Sequence, residues 1–231
     1  MKRLYLTVEG QTEAAFATTV LGPHLLNYGV YVIKPRFTGW NPRTRGRIPV
    51  GGMLNTFQHA LRDMRIWLKE DQDPDARFSM MVDLYHLPHD VPGYEAAIKK
   101  PTGVLQATAI EKSISTELAD DRFVPYLQVH EFEALVLADP TRLNSIYDVQ
   151  DGKIKSLCRD CTRYDTPEEI NSGQHSHPKY RIKQTVKEYD ESVAGPLLAG
   201  EIGLETLREK CKHFGDWLTK LEQLDGSGVT H

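Results

Sequence analysis

Apolar positions along the first 130 or so residues switch repeatedly between two periods. Short runs rich in β-branched and aromatic side chains read as strands: RLYLTVE from Arg3, VYVIKPRF from Val30, FSMMVD from Phe78 and FVPYLQV from Phe123. Between them lie stretches of helical period. TEAAFATTVLGPHLLNYG offers Thr12 as an N-cap and Gly29 as a stop. In MLNTFQHALRDMRIWLKE, the residues Leu54, Phe57, Leu61, Met64 and Leu68 recur at three-and-four spacing and share one face. TGVLQATAIEKSISTELA is a further helix. Strands alternating with helices predict βαβ crossovers and a mainly parallel sheet covered on both faces.

Beyond about residue 140 the strand signals stop. The segment from Thr141 to Pro178 is polar and predicts short helices and loops. Leu204, Leu207, Cys211, Phe214, Leu218 and Leu221 then form a helical stripe, with Gly215 as the expected meeting point of two helices. The tail DGSGVTH is expected to fray. The resulting expectation is an α/β domain over residues 1–140 with a helical C-terminal extension, 141–231, packed on it.

Composition narrows the function classes. At 231 residues and 40% hydrophobic the chain can bury a sizeable core, and a formal charge of −4 argues against nucleic-acid binding through bulk positive charge, so any such contact must be local. No apolar run of about 18 residues occurs, so no membrane contact is expected, and three cysteines suit a reducing, cytoplasmic setting.

Candidate chemistry sits at strand ends. Glu9, Asp83 and Glu131 each fall at or just past the carboxyl end of an expected strand, where parallel α/β sheets collect ligands. Carboxylates converging there repel one another unless a cation neutralises them, and hard oxygen donors suit Mg²⁺ or Mn²⁺. Gly10 permits a sharp turn and Glu13 returns to the same side about one helical turn on. His130 is expected to be structural more often than a ligand, and Tyr85 divides evenly between a phosphate contact and packing.

KPRFTGWNPRTRGR holds Lys34, Arg36, Arg43, Arg45 and Arg47 without one acid, interleaved with Phe37 and Trp40. Arginine forks grip phosphates and aromatic faces stack on bases, so this stretch is the expected clamp for a nucleic-acid strand. A solvated loop or a surface for an acidic protein is the plain alternative. VGGM just after it is a weak phosphate-binding signal. Cys158 and Cys161, followed by His175 and His177, form a competing candidate for structural zinc, although His-x-His is tighter than usual finger spacing.

VEGQTE at 8–13, VDLYHLP at 82–88, HEFEALVLADP at 130–140 and EIGLETLREKCKHFGDWLTKLEQL at 201–224 together resemble the Toprim-like family called domain of unknown function 4276. The resemblance implies a Toprim-like Rossmannoid sheet in which a first-strand glutamate, Glu9, and an Asp-x-Asp hold Mg²⁺ for phosphodiester chemistry. Asp83 matches the first acid of that pair. Tyr85 stands where the second belongs, so Glu131, or as second choice Glu133, would have to supply the missing ligand. The two share a face if the strand continues and diverge by about 200° if a helix starts there. Arg181, with Lys179 and Lys183 nearby, matches a basic position of the family. The resemblance also implies an ATPase partner of ABC or AAA type in an anti-phage defence module. The expected function is therefore a metal-dependent nuclease acting on DNA or RNA, or else a catalytically inactive module that binds nucleic acid or that partner.

Overall fold

The chain begins with β1 (Lys2–Val8), followed by α1 (Gln11–Phe16), a π-helical turn and α2 (Gly22–Leu26). Next come β2 (Val30–Val32), β3 (Arg36–Phe37), α3 (Phe57–Glu70) and β4 (Ala76–Asp83). α4 (Tyr94–Ala97), α5 (Gly103–Leu118), β5 (Phe123–Val124), β6 (Leu127–Gln128) and α6 (Glu133–Val136) complete the first part. The rest is helical: α7 (Asp151–Cys161), α8 (Pro178–Thr185), α9 (Glu191–Ile202), α10 (Leu204–Lys210) and α11 (Lys212–Glu222). This computed structural model describes residues 1–37, 56–85, 87–170, 173 and 175–226.

The architecture is mixed α/β, and every strand pairing in its six-stranded sheet is parallel. β1 and β4 are the long central strands, with Arg3 opposite Ala76 and Val8 opposite Met81. Each flank holds one interrupted strand. On the β1 side, Lys2 pairs with Val30 but Thr7 with Arg36, so the offset grows from 28 to 29 and one extra residue is accommodated around Pro35. On the β4 side, Phe78 pairs with Phe123 and Val82 with Leu127, both offset by 45, so Pro125 breaks the ladder without shifting it. Proline has no N–H to donate, which explains both interruptions of runs that read as continuous in sequence.

Alternation along the strands divides the core. Leu4, Leu6 and Val8 face Phe16, Leu21, Phe132 and the C-terminal helices, while Phe78, Met80 and Val82 face α3 and α5. Phe57, Leu61, Met64 and Leu68 of the expected α3 stripe are all buried, whereas Leu54 lies outside the described residues, as does most of the DGSGVTH tail. Phe214, Trp217, Leu218 and Leu221 join the same apolar cluster as β1, so the C-terminal helices and the α/β part share one core. Trp217 Nε1 donates to Ser79 Oγ at 2.9 Å, Ser79 Oγ donates to the Val124 carbonyl at 2.6 Å, and the indole stacks on Tyr126 at 4.3 Å. Buried Glu168 accepts the first amides of α11, His213 N at 2.9 Å and Phe214 N at 3.0 Å.

Some local expectations change. Gly10, not Thr12, precedes α1, and Glu13 closes back on its amide; Thr12 is buried and its hydroxyl donates to the Glu191 carbonyl at 3.3 Å. The helix ends at Leu26 with Asn27 as its cap, and Gly29, at φ 70°, closes the turn that leads into β2. The two C-terminal helices meet at Cys211, whereas Gly215 lies inside α11, where a β-carbon would sit 2.8 Å from the Arg208 carbonyl oxygen. Gly215→Ala is therefore expected to cost about 1–3 kcal/mol through forced separation of α10 and α11, read as a lowered thermal midpoint. Among the described residues, no helix is long and apolar enough to cross a membrane.

Candidate functional site

Register alone brings the first two acids together. With Val8 opposite Met81, Glu9 emerges beside Val82, and its Oε2 accepts the Asp83 amide at 3.1 Å. Gly10 is extended (φ −144°, ψ −174°) and opens α1 directly from the strand end. This places Glu13 on the first turn, where its Oε2 accepts the Gly10 amide at 2.8 Å and the side chain is buried.

The HEFEAL segment takes the helical alternative. β6 ends at Gln128, His130 adopts φ 64°, and α6 starts at Glu133. Glu131 and Glu133 consequently do different things. Glu131 Oε1 accepts the Lys179 amide at the start of α8 and lies 2.8 Å from His177 Nδ1, whose ring stacks on Tyr85. Glu133 is buried to 2% exposure, and its Oε1 has no hydrogen-bond partner. Asp83 Oδ1 is likewise sealed from solvent and unpartnered. Lys179 Nζ reaches Glu191 Oε2 at 2.7 Å, at the start of α9.

Glu9, Glu13, Asp83 and Glu133 hold their protons more tightly than free carboxyls. Burial, then repulsion from Glu9, Glu13, Glu133 and Glu131, pushes Asp83 well above the usual carboxylate range. Burial and then Glu13 push Glu9 up to about 8, against the Asp83 amide and Lys179. Glu133 is also raised to about 8, mainly by burial and further by Glu131 and Glu191, with Lys179 opposing. Glu13 is raised by burial, with Glu191 adding to it. Burial disfavours the Lys179 ammonium, but Glu133, Glu191 and Glu131 outweigh it and its pKa rises. The acids therefore form one electrostatic unit with Lys179 as a counter-charge. Among the described residues, no three His, Cys, Asp or Glu side chains already stand in metal-holding geometry.

Other candidates fall elsewhere. His130 is buried, its pKa is lowered to about 4 by desolvation, and its carbonyl accepts the Tyr85 amide, so the residue shapes the loop. Arg36 pairs with Glu70 at 3.3 Å and lies over Trp67, next to the carboxyl end of β1 through the Thr7–Arg36 pairing. Arg43, Arg45, Arg47, Trp40 and VGGM lie outside the described residues. Arg181 donates to the Ser176 carbonyl at 2.6 Å and to the Tyr164 hydroxyl at 3.0 Å, bracing the turn before α8. Of the zinc candidates, His177 faces Glu131, Cys158 and Cys161 pack against the apolar cluster, and burial pushes the Cys161 thiol up to about 12. Sequence reasoning did not single out Glu191 or the buried Tyr189 beside Glu133. Glu191 reads locally as an ordinary first-turn helix acid, and nothing in its neighbourhood announces a pairing with Lys179.

A parallel α/β sheet with buried carboxyls gathered past the ends of its two central strands defines the class: an open-sheet protein with an acidic cluster at the strand ends. Within that class, the chain belongs to the family described as Domain of unknown function (DUF4276), which it matches over residues 8–222. No curated protein and no solved structure matches it.

Proposed function

We propose that this protein is a Toprim-like, Mg²⁺- or Mn²⁺-dependent nuclease that hydrolyses phosphodiester bonds of DNA or RNA. The observation that carries this reading is the contact between Glu9 and the Asp83 amide at the ends of adjacent parallel strands, amid further buried acids. The donor set suits a hard divalent ion, because it consists of carboxylate oxygens and two of them, Asp83 Oδ1 and Glu133 Oε1, are buried without a partner. Glu9, Asp83 and Glu133 would hold the ion. Glu133 is preferred over Glu131, which is already committed to His177 and the Lys179 amide. A bound ion supplies Lewis acidity and a more acidic water. Glu13, raised in pKa and fixed by the Gly10 amide, is suited to accept the proton of the attacking water.

Lys34 and Arg36 open the basic stretch, Arg36 pairing beside the carboxyl end of β1, and this stretch with its Arg43, Arg45 and Arg47 would hold the substrate strand. The setting consistent with this reading is cytoplasmic anti-phage defence with an ABC- or AAA-type ATPase partner. Tyr85 favours a second reading, a non-catalytic module that binds nucleic acid or that ATPase, because its stacked ring occupies the place of a second aspartate. Incubating the protein with plasmid DNA and with tRNA in Mg²⁺ or Mn²⁺, with and without the ATPase, separates the two. Chelator-sensitive cutting is expected; metal-replete protein that cuts neither substrate in either setting leaves only the binding module.

A further inference from the structure

Lys179 is placed by two independent contacts that nothing in the nuclease reading requires. Its amide donates to Glu131 Oε1, which anchors the first turn of α8 at the acids. Its ammonium then reaches Glu191 Oε2 at 2.7 Å on the neighbouring helix α9. That helix is itself tied to the site, because the Glu191 carbonyl accepts the Thr12 hydroxyl one residue before Glu13, and Gly195 packs against Thr12 and Phe132. Glu191 is the acid in ion-pair contact with the ammonium, while Glu133 and Glu131 act on it through space and Glu9 and Glu13 feel its charge. Within the same acidic cluster, Asp83 Oδ1 and Glu133 Oε1 are sealed and without a hydrogen bond.

From this arrangement, and resting on the metal-dependent reading above, we infer that Lys179 is an internal counter-ion, held over the carboxylates by Glu191, that a divalent cation displaces when it binds. An ammonium and a divalent ion drawn to the same carboxylates compete, because two positive centres at one cluster of acids repel. Glu191 acts as the positioning residue: its side chain, 43% exposed, keeps hold of the ammonium on the solvent side when the acids turn to the metal. The device would keep the acids compact while no ion is bound, and would make each binding event move α8 relative to α9. Glu131 links that motion to His177 and the Tyr85 ring.

Competitive amine acylation of the full-length protein with an N-hydroxysuccinimidyl acetate, read residue by residue by mass spectrometry with and without Mn²⁺, tests the displacement. Mn²⁺ binding is measured in parallel by titration calorimetry. Lys179 acylation is expected to rise at least about threefold on adding saturating Mn²⁺, with Lys153 and Lys220 as unchanged internal references. Glu191→Gln should raise it without metal. Lys179→Met should bind Mn²⁺ roughly tenfold more tightly, as expected for removing one positive charge from a partly buried cation site, whereas Lys179→Arg should bind no more tightly than the native protein. Mn²⁺ that binds normally but leaves Lys179 acylation unchanged overturns the displacement and spares the metal site. No Mn²⁺ binding to the native protein removes both.

Discussion

Asp83→Asn is expected to stabilise the metal-free protein while abolishing metal-dependent cleavage. The carboxyl lies at the end of β4 with Oδ1 sealed and unpartnered, in the field of Glu9, Glu13, Glu133 and Glu131. An amide of the same shape carries no charge, so it removes the repulsion that grows as the acids ionise and leaves the Asp83 amide free to keep donating to Glu9. Once the native carboxyl is forced to ionise at alkaline pH, a gain of roughly 1–3 kcal/mol follows from relieving one poorly satisfied buried charge, or several degrees in thermal midpoint for a chain of this size. The gain should shrink toward zero as pH falls and the carboxyl takes up its proton. Cleavage should fall by about 10²–10³ or more, the usual effect of deleting one preorganised electrostatic element. Glu9→Gln should give the same loss. Melting curves and plasmid-cleavage rates measured on one preparation check both halves. A variant that melts lower at high pH would mark Asp83 as a structural acid.

The opposite signs explain why the central site was legible from sequence and its outer shell was not. Glu9 and Asp83 each end an apolar run, and once both runs are strands of one parallel sheet, only register has to be right for the acids to meet. That register is set by the long strands β1 and β4. The helix stripes were legible for the same reason: burial of Phe57, Leu61, Met64 and Leu68, or of Phe214, Leu218 and Leu221, is written in their period. What could not be read was anything decided by long-range packing. Gly215 looked like a hinge because glycine weakens helices, but its missing β-carbon serves the Arg208 carbonyl on the preceding helix. Thr12 looked like a cap because of its chemistry, yet Glu191, almost 180 residues on, claims its hydroxyl. The choice between Glu131 and Glu133 turned on whether the strand continued past Gln128. His130 settles that with a left-handed φ of 64°, a conformation no periodicity announces. Lys179 and Glu191 are separated by a loop and belong to different helices, so their pairing has no local signature.

Thermal stability of the metal-free protein is expected to fall as pH rises from about 5 to about 8, and Mn²⁺ to reverse that fall. Glu9 and Glu133 have ordinary values of 4.5 in an unfolded chain and about 8 in the fold. Between those limits the folded protein keeps protons that the unfolded chain has released. The derivative of unfolding free energy with pH follows the protons bound by the unfolded state minus those bound by the native one, so it is negative throughout this window. The destabilisation is absent below the unfolded value and complete only above the folded one. Each fully protonated acid of this kind contributes up to about 1.4 kcal/mol per pH unit, less where Glu9 keeps some contact with water. A divalent ion requires the same oxygens deprotonated, so its binding releases protons and its affinity rises with pH, by as much as about tenfold per unit for each proton released. The Mn²⁺-induced shift in thermal midpoint should therefore be small near pH 6 and several degrees near pH 8.5, and calorimetric binding enthalpies should depend on the ionisation enthalpy of the buffer. In Asp83→Asn both the alkaline loss and the Mn²⁺ rescue should be blunted. A metal-free midpoint that climbs steadily from pH 6 to 8 would mean that these carboxyls are ionised throughout, and that solvent reaches oxygens the fold encloses.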